Sequence, residues 1–225
     1  AEAAANPIRK IPYHTPEYTV ENGVTLLETP EGPMPIEVFG AHNLNNLAGA
    51  KWICQNMGVD EADFYEAIAS FKGASKRLEK IAEGKGKVAY KDFAHSPSKL
   101  KATTEAVKKQ FSNRKLVACM ELHTFSSLNP AFLPEYKGTL ADADLAIIYL
   151  SEHARAIKQM DRIEAETVQS YFNHPNLVVV REQEELKQIL LKQNQENQNL
   201  LMMSSGTFDG LDFPGFATEL GLRIQ

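Results

Sequence analysis

From residue 87 onward the apolar residues fall into short unbroken runs separated by polar, helix-patterned stretches. The runs are "KVAYKDF" at 87–93, "KLVACMEL" at 115–122, "LAIIYLS" at 145–151, "NLVVVRE" at 176–182 and "LLMMSSG" at 200–206. Helical periodicity lies between them, at about 98–112, 130–142, 161–172 and 183–194, and again at 213–220. Continuous apolar strands that alternate with helices predict a parallel sheet covered on both faces. Ahead of them, "LEKIAEGKGKVAYKDF" at 78–93 predicts a hairpin that turns through Gly84 and Gly86.

The first third of the chain follows a different pattern. Residues 7–37 read as extended, with a hairpin through Asn22 and Gly23. Pro33 and Pro35 then interrupt the pattern before a short strand, "IEVFG", at 36–40. Two helices follow. The first covers about 44–57, with Leu47, Ala50, Ile53, Cys54 and Met57 as its inward stripe and Gly58 as its stop. The second runs from after Asp60 to about Phe71, with Phe64, Ala67, Ile68 and Phe71 inward. "KGASK" at 72–76 marks a boundary, which gives domains at 1–73 and 74–225.

Composition adds limits. With 43% hydrophobic and 24% charged residues the chain is ordinary globular material, and a net charge of −5 argues against a general nucleic-acid binder. No apolar run approaches the ~20 residues of a membrane span. Cys54 and Cys119 sit among apolar neighbours, as buried reduced thiols do, and "AEAAANPIRK" lacks the apolar stretch of a secretion signal. The expectation is a cytoplasmic protein with neither membrane nor nucleic-acid partners. The missing initiator Met fits a piece of a longer one.

Ligands of wound sheets bind beyond the carboxyl ends of the strands. Those ends carry "DFAHSPSK" (92–99), "ELHTFSSLN" (121–129), "SEHAR" (151–155) and "SSGTFDG" (204–210), and with them His95, His123 and His153. Asp92 suits either ribose hydroxyls or capping of the next helix. Upstream, "FGAHNLNNLAGA" (39–50) offers Asn43 and Asn46, spaced to share a helix face. Their amides could read the edge of adenine, or Asn43 could cap the helix. Lys76 and Arg77 could clamp a phosphate, though an isolated basic pair is more often a solvated surface. Neither G-x-x-x-x-G-K-[ST] nor G-x-G-x-x-G occurs, no G-x-S-x-G elbow is present, and no Cys or His pair has zinc spacing.

In order, "GAHNLNN", "FKGASKRLE" and "KDFAHSPSKLKAT" resemble the Mur ligase family, the ATP-dependent ligases of bacterial cell-wall peptide synthesis. Gly40, His42, Asn43 and Asn46 match the first family motif, Gly73 and Arg77 the second, and Asp92, Phe93, Ala94, His95 and Pro97 the third. The resemblance implies that 1–73 ends a central ATP-binding domain and that 74–225 is the C-terminal Rossmann-like domain. It implies that His42, Asn43, Asn46, Arg77 and Asp92 bind ATP, Arg77 also stabilising the transferred phosphate. His95 lines the interdomain cleft as a further catalytic residue, and closure hinges near Gly73. The phosphate loop and the Mg2+ ligands lie upstream, so this piece is expected to be inactive alone. In the family, ATP phosphorylates a carboxylate of the UDP-muramoyl substrate, and an amine displaces the phosphate.

The loops "MELHTFSSLN" and "MMSSGTFDGL" most resemble the branch that joins murein tripeptide (L-Ala-γ-D-Glu-meso-diaminopimelate) to UDP-N-acetylmuramate in peptidoglycan recycling. The expected peptide contacts are His123, Ser126, Asn129, Ser205 and Phe208. The L-alanine-adding branch would show a second His where Ser96 stands and an Arg where Thr124 stands. It is the alternative, and a non-catalytic α/β binding module is the third.

Overall fold

The computed structural model describes residues 10–224 and divides into two compact units between Lys72 and Gly73.

In the first unit, β1 (Tyr18–Glu21), β2 (Val24–Thr29) and β3 (Gly32–Ile36) form an antiparallel meander. Asn22 (φ 52°) and Gly23 (φ 81°) both take left-handed backbone, as a two-residue hairpin turn requires. Pro33 and Pro35 do not break the pattern. They sit inside β3, opposite Glu28 and Leu26, because β3 is an edge strand and its outer side needs no ladder donors. The strand expected at 36–40 stops at Ile36.

Helix α1 (Ala41–Asn56) begins three residues earlier than its periodicity predicts, and α2 (Glu61–Ala69) is capped by Asp60, whose carboxylate accepts from Ala62 N and Asp63 N. The inward face of α1 is also rotated from expectation. Leu44 and Leu47 are buried with Leu27, Ile36 and Phe64, whereas Ile53 and Met57 are 64% and 79% exposed. Ala67 on α2 is likewise exposed, as is Phe71, which lies beyond the end of the helix. The rotation has a polar cause. Lys51 continues the 44–47 stripe, and its Nζ bonds Glu61 and, at 2.9 Å, Tyr65 Oη on α2. Burial opposes the ammonium charge, yet these two partners raise its pKa. A lysine on the inward face made the apolar stripe look one residue out of register.

The second unit is a seven-stranded sheet in the order β10-β4-β5-β9-β6-β7-β8. Its strands are β4 (Glu79–Gly84), β5 (Lys87–Asp92), β6 (Lys115–Leu122), β7 (Leu145–Leu150), β8 (Leu177–Val180), β9 (Gln198–Met203) and β10 (Arg223–Ile224). From β5 to β8 all neighbours are parallel; β4 joins β5, and β10 joins β4, antiparallel. The helices are α3 (Pro97–Gln110), α4 (Glu152–Lys158), α5 (Ala165–Phe172), α6 (Gln183–Lys192) and α7 (Phe213–Glu219). This is the expected Rossmann-like α/β fold, a mostly parallel sheet with helices on both faces.

Two helical expectations fail locally. Residues 130–142 form only a 3-10 turn at Leu133–Tyr136, since Pro130 and Pro134 remove donors and Gly138 (φ 70°) reverses the chain. What holds the segment is aromatic: Tyr136 stacks on Phe172 with centroids 5.0 Å apart. The helix expected at 161–172 begins at Ala165, and α4, which the pattern did not predict, is capped by Ser151, whose Oγ accepts from Ala154 N at 2.9 Å.

Candidate functional site at the carboxyl edge of the second sheet

Register brings the strand ends into line. Met203 of β9 pairs Asp92 of β5 on one side and Met120 of β6 on the other, and Leu122 pairs Leu150 of β7. Four adjacent loops therefore leave one edge of the sheet.

The first loop holds Asp92. It is 5% exposed, and both its oxygens are used inside the fold. Oδ2 accepts from Leu78 N at 2.7 Å; Oδ1 accepts from Ala94 N at 2.7 Å and faces Thr103 Oγ1 at 3.5 Å. Phe93 N donates to Lys76 O at 2.9 Å, so two bonds pin residues 76–78 to the end of β5. Lys76 (φ 58°) and Leu78 (φ 43°) take left-handed backbone that non-glycine residues rarely adopt. Arg77 stands between them, exposed, and among the described residues its guanidinium has no ion pair. On the same turn His95 is half-buried, its Nδ1 2.9 Å from Phe93 O and its ring edge-on to Phe93. Tyr136 Oη donates to His95 O at 2.8 Å.

The second and fourth loops meet around Glu121, a carboxylate hidden inside the apolar run of β6. At 3% exposure its Oε2 accepts from Ser204 Oγ and, at 3.0 Å, from Phe208 N. His123 Nδ1 lies 3.8 Å from that oxygen and has no hydrogen-bond partner among the described residues; His123 Nε2 lies 3.1 Å from Ser205 Oγ. A Cβ on Gly206 would stand 2.7 Å from Glu121 Oε2 and 3.1 Å from His123 Nε2, so glycine is there for space. Asp209 closes the loop, accepting from Tyr149 Oη at 2.7 Å and Ser151 Oγ at 2.6 Å. Burial and this carboxylate raise the Tyr149 pKa, which keeps the phenol a donor.

Of the expected peptide contacts, His123 and Ser205 come together, and Ser126 and Asn129 are exposed on the loop after β6. Phe208 must be corrected. It is 0% exposed, with its ring 5.9 Å from that of Tyr149 and 5.8 Å from that of Phe213, and it belongs to the core. His153 is exposed on α4.

In the first unit, His42, Asn43 and Asn46 occupy the first two turns of α1. Asn43 is not its cap. Gly40 (φ 87°) is, and Asn43 Nδ2 donates to Phe39 O at 3.0 Å; Asn46 is exposed and His42 half-buried. Sequence reasoning missed Glu121, Ser204 and Asp209. The one available signal was Glu121 itself, an acid inside an otherwise apolar strand. Among the described residues no group of three or more His, Cys, Asp or Glu could hold a metal ion, and no helix is long and apolar enough to cross a membrane.

A wound sheet with polar side chains gathered at its carboxyl edge is the architecture on which α/β domains bind their ligands. Residues 76–206 match the family described as Mur ligase, glutamate ligase domain, and the chain belongs to that family. A UDP-N-acetylmuramate–L-alanine ligase of Caldicellulosiruptor bescii is 37% identical over 113 residues, half of this chain but 24% of that protein. Among solved structures, the UDP-N-acetylmuramate–alanine ligase of Thermotoga maritima superposes with a TM-score of 0.64 at 18% identity, over 86% of this chain and 42% of its own. The murein peptide ligase of Psychrobacter arcticus gives 0.58 at 21%, over 90% and 42%. Both structural likenesses speak for the fold. This chain spans well under half the length of these relatives.

Proposed function

We propose that this chain is the C-terminal part of an ATP-dependent ligase that joins an amine to the carboxylate of UDP-N-acetylmuramate. Residues 1–73 would end the ATP-binding domain and 74–225 would form the amine-binding domain of a cytoplasmic enzyme. Upstream parts of the same enzyme would supply the phosphate loop and the Mg2+ ligands. The observation that carries the reading is Arg77. The backbone on either side of it is tied to the end of β5, Leu78 N to Asp92 and Lys76 O to Phe93 N, while its guanidinium is left exposed and, among the described residues, without a carboxylate, as a group awaiting a phosphate should be. Asp92 then acts by holding that loop rather than by reaching ribose, since its oxygens are engaged. His42, Asn43 and Asn46 keep their proposed place at adenine, and Asn43 Nδ2 anchors to Phe39 O while its amide oxygen stays available. ATP supplies the activating phosphoryl group; Arg77 supplies fixed positive charge for it.

In an intact ligase containing this chain, Arg77→Ala should lower kcat roughly tenfold to a hundredfold, below the range of a fully enclosed donor because solvent screens an exposed cation. The melting temperature should not move. Unchanged kcat and unchanged KM for ATP would leave Arg77 an ordinary surface residue and remove the reading's main support.

For the amine, the name of the C. bescii relative favours L-alanine. Its carboxylate needs a cation, and Lys158 reaches the loop after β6, with Nζ 5.4 Å from the Phe125 ring centroid. Murein tripeptide is the second reading, favoured by Thr124 and by the lack of any arginine in 121–129. Calorimetric titration of this chain should give tighter binding for L-alanine than for tripeptide, and Lys158→Ala should abolish the preference. The reverse order would establish the tripeptide reading.

A further inference from the structure

We infer that Ser205, His123 and Glu121 form a proton relay for the incoming amine, with Ser205 outermost and Glu121 as the positioning residue. The inference rests on the ligase reading above. An amine arrives as an ammonium ion and cannot attack until it loses a proton, and an imidazole is suited to take one near neutral pH.

The geometry runs from solvent to core. Ser205 is part-exposed, His123 has 16% of its side chain exposed, and Glu121 has 3%. Glu121 is fixed from two sides by Ser204 Oγ and Phe208 N, both on Oε2. That same oxygen is the charge facing His123 Nδ1, at 3.8 Å, and Nδ1 is buried with no other partner. A bare nitrogen lone pair turned toward a buried carboxylate would be repelled, so the proton of the neutral ring belongs on Nδ1. Nε2 then presents its lone pair, and at 3.1 Å it accepts from Ser205 Oγ. The serine oxygen is left free to accept from an ammonium N–H. Gly206 closes the assembly, because any side chain there would strike both Glu121 and His123.

The proton balance is simple. One ammonium proton moves to Ser205 Oγ as the Ser205 proton moves to His123 Nε2. The neutral amine then forms the C–N bond, the C–O bond to phosphate breaks, and the amine's second proton leaves with the phosphate. The imidazolium returns its proton to solvent through Ser205. Glu121 touches no reactant; it sets the tautomer and stabilises the transient positive charge.

The test reads the imidazole nitrogens directly, by 15N NMR of this chain labelled at histidine. His123 should show a protonated Nδ1 and a bare Nε2. Glu121→Gln keeps an oxygen for Ser204 and Phe208 but removes the charge, and it should convert His123 to a mixture of tautomers. A wild-type ring protonated at Nε2, or a tautomer indifferent to Glu121→Gln, overturns the relay. In an intact ligase containing this chain, His123→Gln should lower kcat about a hundredfold, the lower end for general-base loss, with KM for ATP unchanged. An enzyme that ligates with unaltered kcat after that change overturns the relay alone. A wild-type enzyme that ligates neither amine overturns the ligase reading on which it rests.

Discussion

Replacing Asp92 by Ala should cost the second unit roughly 3–6 kcal/mol, taking about 1.5–3 kcal/mol for each hydrogen bond to a charged acceptor. Two such bonds are lost, from Leu78 N and Ala94 N, each at 2.7 Å. Leu78 is 7% exposed and Ala94 0%, so the orphaned donors stay largely out of reach of water. The Leu78 backbone makes the loss worse. Its φ of 43° stores strain that the bond to Asp92 holds in place. At ~2–4 °C per kcal/mol for a domain of this size, the melting temperature should fall by about 10 °C. Asp92→Asn is the informative companion. One amide oxygen can still serve one backbone donor, but the NH2 group faces the other, so stability should recover only in part. If Asp92 existed mainly to bind ribose, both variants would melt within a degree of the parent and lose only nucleotide affinity. The predicted pattern is the opposite: a large thermal shift, with nucleotide affinity falling because residues 76–78, and Arg77 with them, are no longer held.

The parallel strands were legible because both faces of each are covered, so burial leaves no alternation to decode. The hairpins were legible through turn chemistry at Asn22-Gly23 and at Gly86, whose backbone must turn left-handed. Elements held by contacts distant in sequence were not. The 130–142 segment looked helical, but its place depends on Tyr136 meeting Phe172, which no local pattern records. The stripe of α1 was misread because Lys51, joined to Glu61 and Tyr65, occupies a position that periodicity reserves for an apolar side chain. At the candidate site, the rule that wound sheets bind ligands past their strand ends pointed to loops that the strand register brings to one edge. It could not say which polar atoms those loops spend on themselves. Asp92 suited ribose or a helix cap alike, and its oxygens accept from Leu78 N and Ala94 N; Glu121 was read as strand and lies behind His123. The difference between a free and an engaged carboxylate is tertiary, and one sequence does not carry it.

Phe208 makes that difference measurable, since two roles for one ring predict opposite results. Phe208→Ala should destabilise the second unit by about 3–5 kcal/mol, the usual cost of deleting a buried aromatic. The ring is fully buried between Tyr149 and Phe213, and it shares its cluster with Val180, Leu186 and Phe216. Its backbone compounds the effect: Phe208 N donates to Glu121 Oε2 at 3.0 Å, and Gln183 Nε2 donates to Phe208 O at 2.9 Å. Phe208 and Asp209 both take left-handed backbone, with φ of 51° and 54°, and the packed ring resists that strain. Phe208→Leu refills most of the volume and should restore all but about 1–2 kcal/mol, measured by the urea midpoint. It should also leave amine binding close to that of the parent, because the ring meets core rather than ligand. A leucine variant of normal stability that had lost its amine would put Phe208 back in the binding surface. It would also undo the packing that holds Ser204, Glu121 and Asp209 in register beneath the loop.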